Sequence, residues 1–209
     1  MNINQDEFSR KATLIGDAIL QGTSIFTKGN TVNEFNKCCD HVHNLIEDSY
    51  LLYSNKSYAT SVFISITAIE EICKIEISRF RERMENVSNG RKGDYLFSHS
   101  KKHDMGLNEL IKMNSRLCDA IGNDALSEIF KKAKDGTIKD VRESAVYISS
   151  SKYGPVCSRE IITQEISRNY LLVAIEVWYE TFFGLTSHAN EIDKRMDELF
   201  ELIAKQDGT

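Results

Sequence analysis

Residues 57–83 read SYATSVFISITAIEEICKIEISRFRER, and the fold turns on this stretch. Tyr58, Val62, Phe63, Ile66, Ile69, Ile72, Cys73, Ile77 and Phe80 recur at helical spacing, and Ile64, Ala68 and Ile75 spread the apolar surface around most of the circumference. A helix that is apolar on nearly every side belongs at the centre of a protein. It is not a membrane span, because Glu70, Glu71 and Lys74 interrupt it where a bilayer requires about 20 predominantly apolar residues. These three residues, with Thr67 and Ser78, form a polar strip in which the carboxylates stand three and four positions ahead of the lysine. Charges on an otherwise buried helix need partners. The strip is therefore either a satisfied contact between helices or the helix-borne part of a site.

On the amino-terminal side, Thr31 and Glu34 make a capping-box pattern, and Phe35, Val42, Leu45, Ile46, Tyr50 and Tyr53 continue at three-and-four spacing to about Ser54. The connection Asn55-Lys56-Ser57 is so short that this helix and the central one are expected to lie antiparallel. Residues 5–22 form a further amphipathic pattern. On the carboxy-terminal side, Ile166, Tyr170, Leu171, Val173, Ala174, Val177, Trp178 and Phe182 form a stripe over 163–183, closed by Gly184, and a last helix starts at Ser187. Shorter helices are expected over 107–120, 124–134 and 137–148. Residues 85–102, rich in Asn, Gly and charge, read as a loop, as do 149–158 around Pro155, and no segment carries a strand signal of weight. The expectation is one all-α domain over 1–209, with a core at about 31–183, a mobile basic loop at about 86–104 and a terminal helix at about 187–204.

Composition agrees and narrows the function. With one proline, 41% hydrophobic and 27% charged residues, the 209-residue chain suits long helices. A net charge of −5 supplies no overall attraction to nucleic acid, so any such contact needs a local basic patch. The five cysteines lack a CxxC pair and read as reduced thiols, and the first 20 residues show no export pattern, so a cytoplasmic protein is expected. No GxxxxGK[ST], GxGxxG or GxSxG pattern occurs, which leaves nucleotide hydrolysis and serine-type catalysis without support.

Three segments carry residues capable of chemistry. Cys38, Cys39, His41 and His43 lie close together but match no metal module, and core cysteines are the better reading; no metal and no cofactor are called for. His99 and His103, with Lys101 and Lys102 and upstream Arg91 and Lys92, form a basic stretch that reads either as a solvated loop, the plainer reading, or as a phosphate contact; its lysines would repel a cation, so phosphate contact or proton transfer suits the histidines better than metal. Arg142, Glu143 and Tyr147 stand near the end of a helix, where an arginine can clamp a phosphate and a phenol can move a proton, although spacing alone favours an exposed ion pair beside a half-buried tyrosine.

Three motifs together resemble one family. They are AIEEICK at 68–74, HSKKH at 99–103 and VRESAVYI at 141–148, and the likeness extends over about residues 40–180. In this order and spacing they are similar to the AbiV-type abortive infection proteins, a branch of the HEPN helical superfamily. The resemblance implies a HEPN-like helical bundle, a homodimer, and a role in arresting phage multiplication. It also implies a metal-independent RNA-cleaving or RNA-binding site. On this chain that site carries to Arg142, Glu143 and Tyr147, supported by Glu70, Glu71 and Lys74, with His99, Lys101, Lys102 and His103 on the RNA. Tyrosine stands at Tyr147 where the nuclease pattern has histidine. The alternative is a non-catalytic protein that binds a phage protein as its trigger or target. No membrane partner is expected.

Overall fold

The computed structural model describes residues 5–20, 22–27, 31–82, 94–107 and 116–205. Helix α1 (Gln5–Leu20) precedes the long pair α2 (Thr31–Ser54) and α3 (Tyr58–Phe80). The turn between α2 and α3 is closed by Ser57 N–H donating to Leu52 O at 2.8 Å and Lys56 N–H to Tyr53 O at 2.9 Å. Lys56 takes the left-handed conformation (φ 61°) that such a helix end demands. Between the two helices Ser49 bonds Ser65 at 2.7 Å and Ser61 at 3.0 Å, all three buried. Small hydroxyl side chains let the backbones approach while satisfying one another.

A 3₁₀ turn (Tyr95–Phe97) leads into α4 (His99–Gly106), followed by α5 (Leu117–Ile121), α6 (Asn123–Lys134) and α7 (Ile138–Ser144). A small antiparallel hairpin, β1 (Ser149–Ser151) with β2 (Gly154–Val156), and α8 (Ser158–Ile161) come next, then α9 (Gln164–Phe182) and α10 (Ser187–Ala204). The antiparallel pair packs against α9 as expected, and every residue of α9 from Ser167 to Trp178 is buried. Trp178 meets Phe182 edge-on at 5.0 Å, and Phe182 meets Phe35 of α2 at 5.3 Å. Buried Arg168 donates to Ile203 O and Ala204 O at the end of α10 and to Ala120 O in α5, so one guanidinium closes two helix ends.

The all-α expectation holds, with three local corrections. The stretch read as a loop over 85–102 contains the 3₁₀ turn and the start of α4; Arg91, Lys92 and most of the expected 107–120 helix lie outside the described residues. The 149–158 loop contains the β1–β2 hairpin, although no strand was expected. The helix expected to reach Ile148 ends at Ser144.

Helix α4 evaded the sequence reading because distant polar contacts, not an apolar repeat, hold it. Arg10 of α1 forks onto Asp104 at 2.8 and 2.9 Å, and Lys11 donates to Leu107 O at 3.0 Å. Arg81 forks onto Asp94 at 2.9 and 2.8 Å and donates to Ala18 O. Gly22 (φ 102°) runs so close beneath this pair that a Cβ there would stand 2.3 Å from an Asp94 oxygen. Gly106 brings α4 onto α3, its Cβ position lying 3.4 Å from Cys73. Leu14, Ala18, Cys73, Ile77, Leu96 and Met105 form a small apolar cluster beneath this corner, separate from the main core. Among the described residues no helix is long and apolar enough to cross a membrane.

Candidate functional site

The first carboxylate of the polar strip is the meeting point of three elements. Glu70 sits mid-way along α3 with its side chain only 3% exposed. Helix α4 presents His99, Lys102 and His103 to it, since positions three and four apart share a helix face. Its Oε2 is 2.7 Å from His99 Nδ1 and 3.1 Å from Lys102 Nζ, and its Oε1 is 2.8 Å from His103 Nε2. From α7, Arg142 Nε approaches Oε1 to 3.5 Å, an ion pair too long for a hydrogen bond. The Arg142 guanidinium lies over the Phe63 ring, 4.7 Å from its centroid, and the side chain keeps 22% exposure.

Burial alone would raise the Glu70 carboxyl. The hydrogen bond from His103 and the charges of Lys102, His103 and His99 outweigh it and hold the group down to about 2. An ionised carboxylate only accepts, so both facing ring nitrogens carry protons: His99 donates through Nδ1 and His103 through Nε2. His103 Nδ1 and Arg142 Nε are buried with no hydrogen-bond partner among the described residues. Lys102 and Arg142 thus set two cationic side chains against one carboxylate. Even before the imidazoles are counted, the cluster carries an excess of positive charge at a partly open surface.

The other expected site residues fall outside this cluster. Glu71 pairs with Lys74 at 2.8 Å on a half-buried part of α3. Lys101 leans over the Tyr95 ring at 5.2 Å. Glu143 is exposed, and its carbonyl accepts from Tyr147 N–H at 2.9 Å as the chain leaves α7. Tyr147 is 69% exposed. Lys102 and His103, read from sequence as part of a basic surface, are interior. Cys39 is in the core, where burial pushes its thiol up to about 12, and among the described residues no group of three or more metal-binding side chains forms. Phe63, under Arg142, was read from sequence only as core; its spacing gives no sign of the cation above it.

The three motifs on which the family resemblance rests therefore converge: AIEEICK supplies Glu70, HSKKH supplies His99, Lys102 and His103, and VRESAVYI supplies Arg142. A family model described as AbiV, within the HEPN group, matches residues 33–179 and so spans all three. An all-α bundle with this polar centre is of the HEPN-like class. The chain belongs to the AbiV family, and membership implies a place in abortive infection, a form of anti-phage defence. No curated protein and no solved structure matches the chain.

Proposed function

We propose that the protein acts in abortive infection by cleaving RNA at the Glu70–His99–Arg142 cluster. One observation carries this reading: three segments far apart in sequence bring an arginine and two histidines around one ionised, buried carboxylate. In a chain of net charge −5, an anion is drawn to this local excess of positive charge and not to the molecule as a whole. Arg142 is the phosphate-facing group. A preorganised charge at the transition state is worth roughly 3 to 4 kcal/mol, or about 10² to 10³ in rate. Arg142→Ala is therefore expected to abolish protection in a phage plating assay, and with it the RNA cleavage that follows infection. Full protection by a folded Arg142→Ala variant would overturn the catalytic reading.

A second observation supports a role for contacts between chains. Val146, Tyr147, Ile148 and Tyr153 are exposed around the β1–β2 hairpin, immediately after the helix that carries Arg142. HEPN domains often dimerise, and we place the homodimer contact here, beside the site. Sedimentation at micromolar concentration should find a dimer in the parent and a monomer in Tyr147→Ser/Ile148→Ser. If neither the dimer nor Arg142 matters for protection, a protein that binds a phage component without catalysis is the remaining reading.

A further inference from the structure

The RNA-cleaving reading needs a group to move the proton, and the pattern's usual histidine position holds Tyr147, which lies exposed outside the polar cluster. Resting on that reading, we infer that His99 of α4 is the proton-transferring catalytic residue and that Glu70 is its positioning residue. The carboxylate binds His99 through Nδ1 at 2.7 Å, so in the neutral ring the basic nitrogen is Nε2, on the far edge from Glu70. The His99 side chain is 49% exposed, so the ring edge turned away from Glu70 is open to a substrate. His103 makes the same kind of bond through the opposite nitrogen, yet its side chain is fully buried. The two histidines of HSKKH therefore divide: His103 braces the carboxylate, and His99 reaches outward from it.

In the cleavage step, Nε2 of His99 takes the proton of a ribose 2′-hydroxyl, and that oxygen attacks the adjacent phosphorus. The bond from phosphorus to the 5′ oxygen breaks, and this oxygen takes a proton from solvent, to which the imidazolium later returns the one it took. Arg142, beside the same carboxylate, faces the charge that gathers on the phosphate oxygens. The products are a 2′,3′-cyclic phosphate and a 5′-hydroxyl, and no co-reactant is consumed. The substrate class is RNA, because DNA lacks the attacking hydroxyl.

The test uses lysates of phage-infected cells producing the full chain, with total RNA as substrate and the new 5′-hydroxyl and cyclic-phosphate ends counted. His99→Ala should slow their appearance by about 10² to 10⁴, the usual range for a lost general base, and added imidazole should restore part of the rate. In ¹⁵N spectra of the parent, His99 should show a protonated Nδ1 and a bare Nε2, and Glu70→Gln should erase that preference. If His99→Ala cuts at the parental rate while Arg142→Ala does not, His99 is not the base and the nuclease reading stands. Failure of imidazole to rescue a folded His99→Ala would equally remove His99 from the role of base. If the parent itself produces no such ends, the nuclease reading fails and takes the role of His99 with it.

Discussion

Two buried carboxylate centres in this bundle are built with opposite ratios of charge. At Glu70 one acid faces Lys102, Arg142 and two histidines. Between α9 and α10 the ratio is inverted: Arg116 bonds Glu176 at 3.0 Å and Asp197 at 2.7 Å, and Asp193 is buried beside them with one oxygen unpartnered among the described residues. Burial, followed by the charge of Asp197, pushes Asp193 up to about 6 against the pull of Arg116, with Glu176 adding to the rise. Burial likewise raises Glu176 despite its bond to Arg116. Both centres lie in a helical core, so burial does not separate them; the count of cations does. The first keeps its acid ionised and gathers cationic groups at a partly open edge, which is what an anion site requires. The second holds more acid than it can neutralise and presses Asp193 toward its protonated form.

The largest effect expected from this contrast is at Glu70. Glu70→Gln keeps the shape but leaves Lys102 and Arg142 without their counter-charge, and breaking a buried pair from one side costs about 3 kcal/mol or more. Chemical denaturation at pH 7 measures it, and a loss under about 1 kcal/mol would show that the cluster behaves like a surface pair. The pH dependence has a definite sign. The folded value of about 2 lies below the ordinary 4.5, so the contribution is complete above about pH 4.5 and is lost as pH falls toward 2. The parent's advantage over Glu70→Gln should shrink across that interval.

Asp193 should respond in the opposite sense. Its folded value of about 6 lies above the ordinary 3.8, so it costs nothing below pH 3.8 and its penalty grows as pH rises to 6. Asp193→Asn should therefore stabilise the protein by about 1 to 2 kcal/mol at a pH of about 7.5 and leave stability unchanged at a pH of about 3.5. Equal effects at both pH values would mean that packing, and not charge, sets the difference between the two centres.

The contrast also marks what the sequence could and could not disclose. Helices α2, α3, α9 and α10 were legible because each hides an apolar face, and a hidden face repeats every three or four residues. Helix α4 was not. Its residues are mostly polar, and its contacts run to Glu70 and Arg10, 29 and 94 residues away, far beyond any local window. His99, Lys102 and His103 were singled out for their chemistry, but a lysine drawn inward by a carboxylate has the same neighbours in sequence as one in solvent. Arg168 and Arg116 gave no signal for a similar reason: their partners are carbonyls and acids of other helices. Tyr147 stood one helical turn and a little more beyond Arg142 in the pattern, and the early end of α7 at Ser144 changed what that spacing meant.

Glu70 and Glu71 make the same point at the scale of one peptide bond and give the smallest expected effect. The polar strip offered both carboxylates as equals, each at helical reach of Lys74. A helix turns its successive side chains by about 100°, and here that rotation sends Glu70 into the α4–α7 corner and Glu71 along the half-open side of α3. Glu71 keeps 22% and Lys74 27% side-chain exposure, and their 2.8 Å contact spans only three residues of one helix. Water screens such a pair, and ordering two long side chains offsets most of its attraction. Glu71→Gln should therefore cost about 0.5 kcal/mol or less, weaken further in high salt, and leave protection against phage intact. Denaturation of the two variants side by side measures the difference. If Glu71→Gln proved as damaging as Glu70→Gln, the special standing of Glu70 would rest on its helix and not on the cations gathered around it.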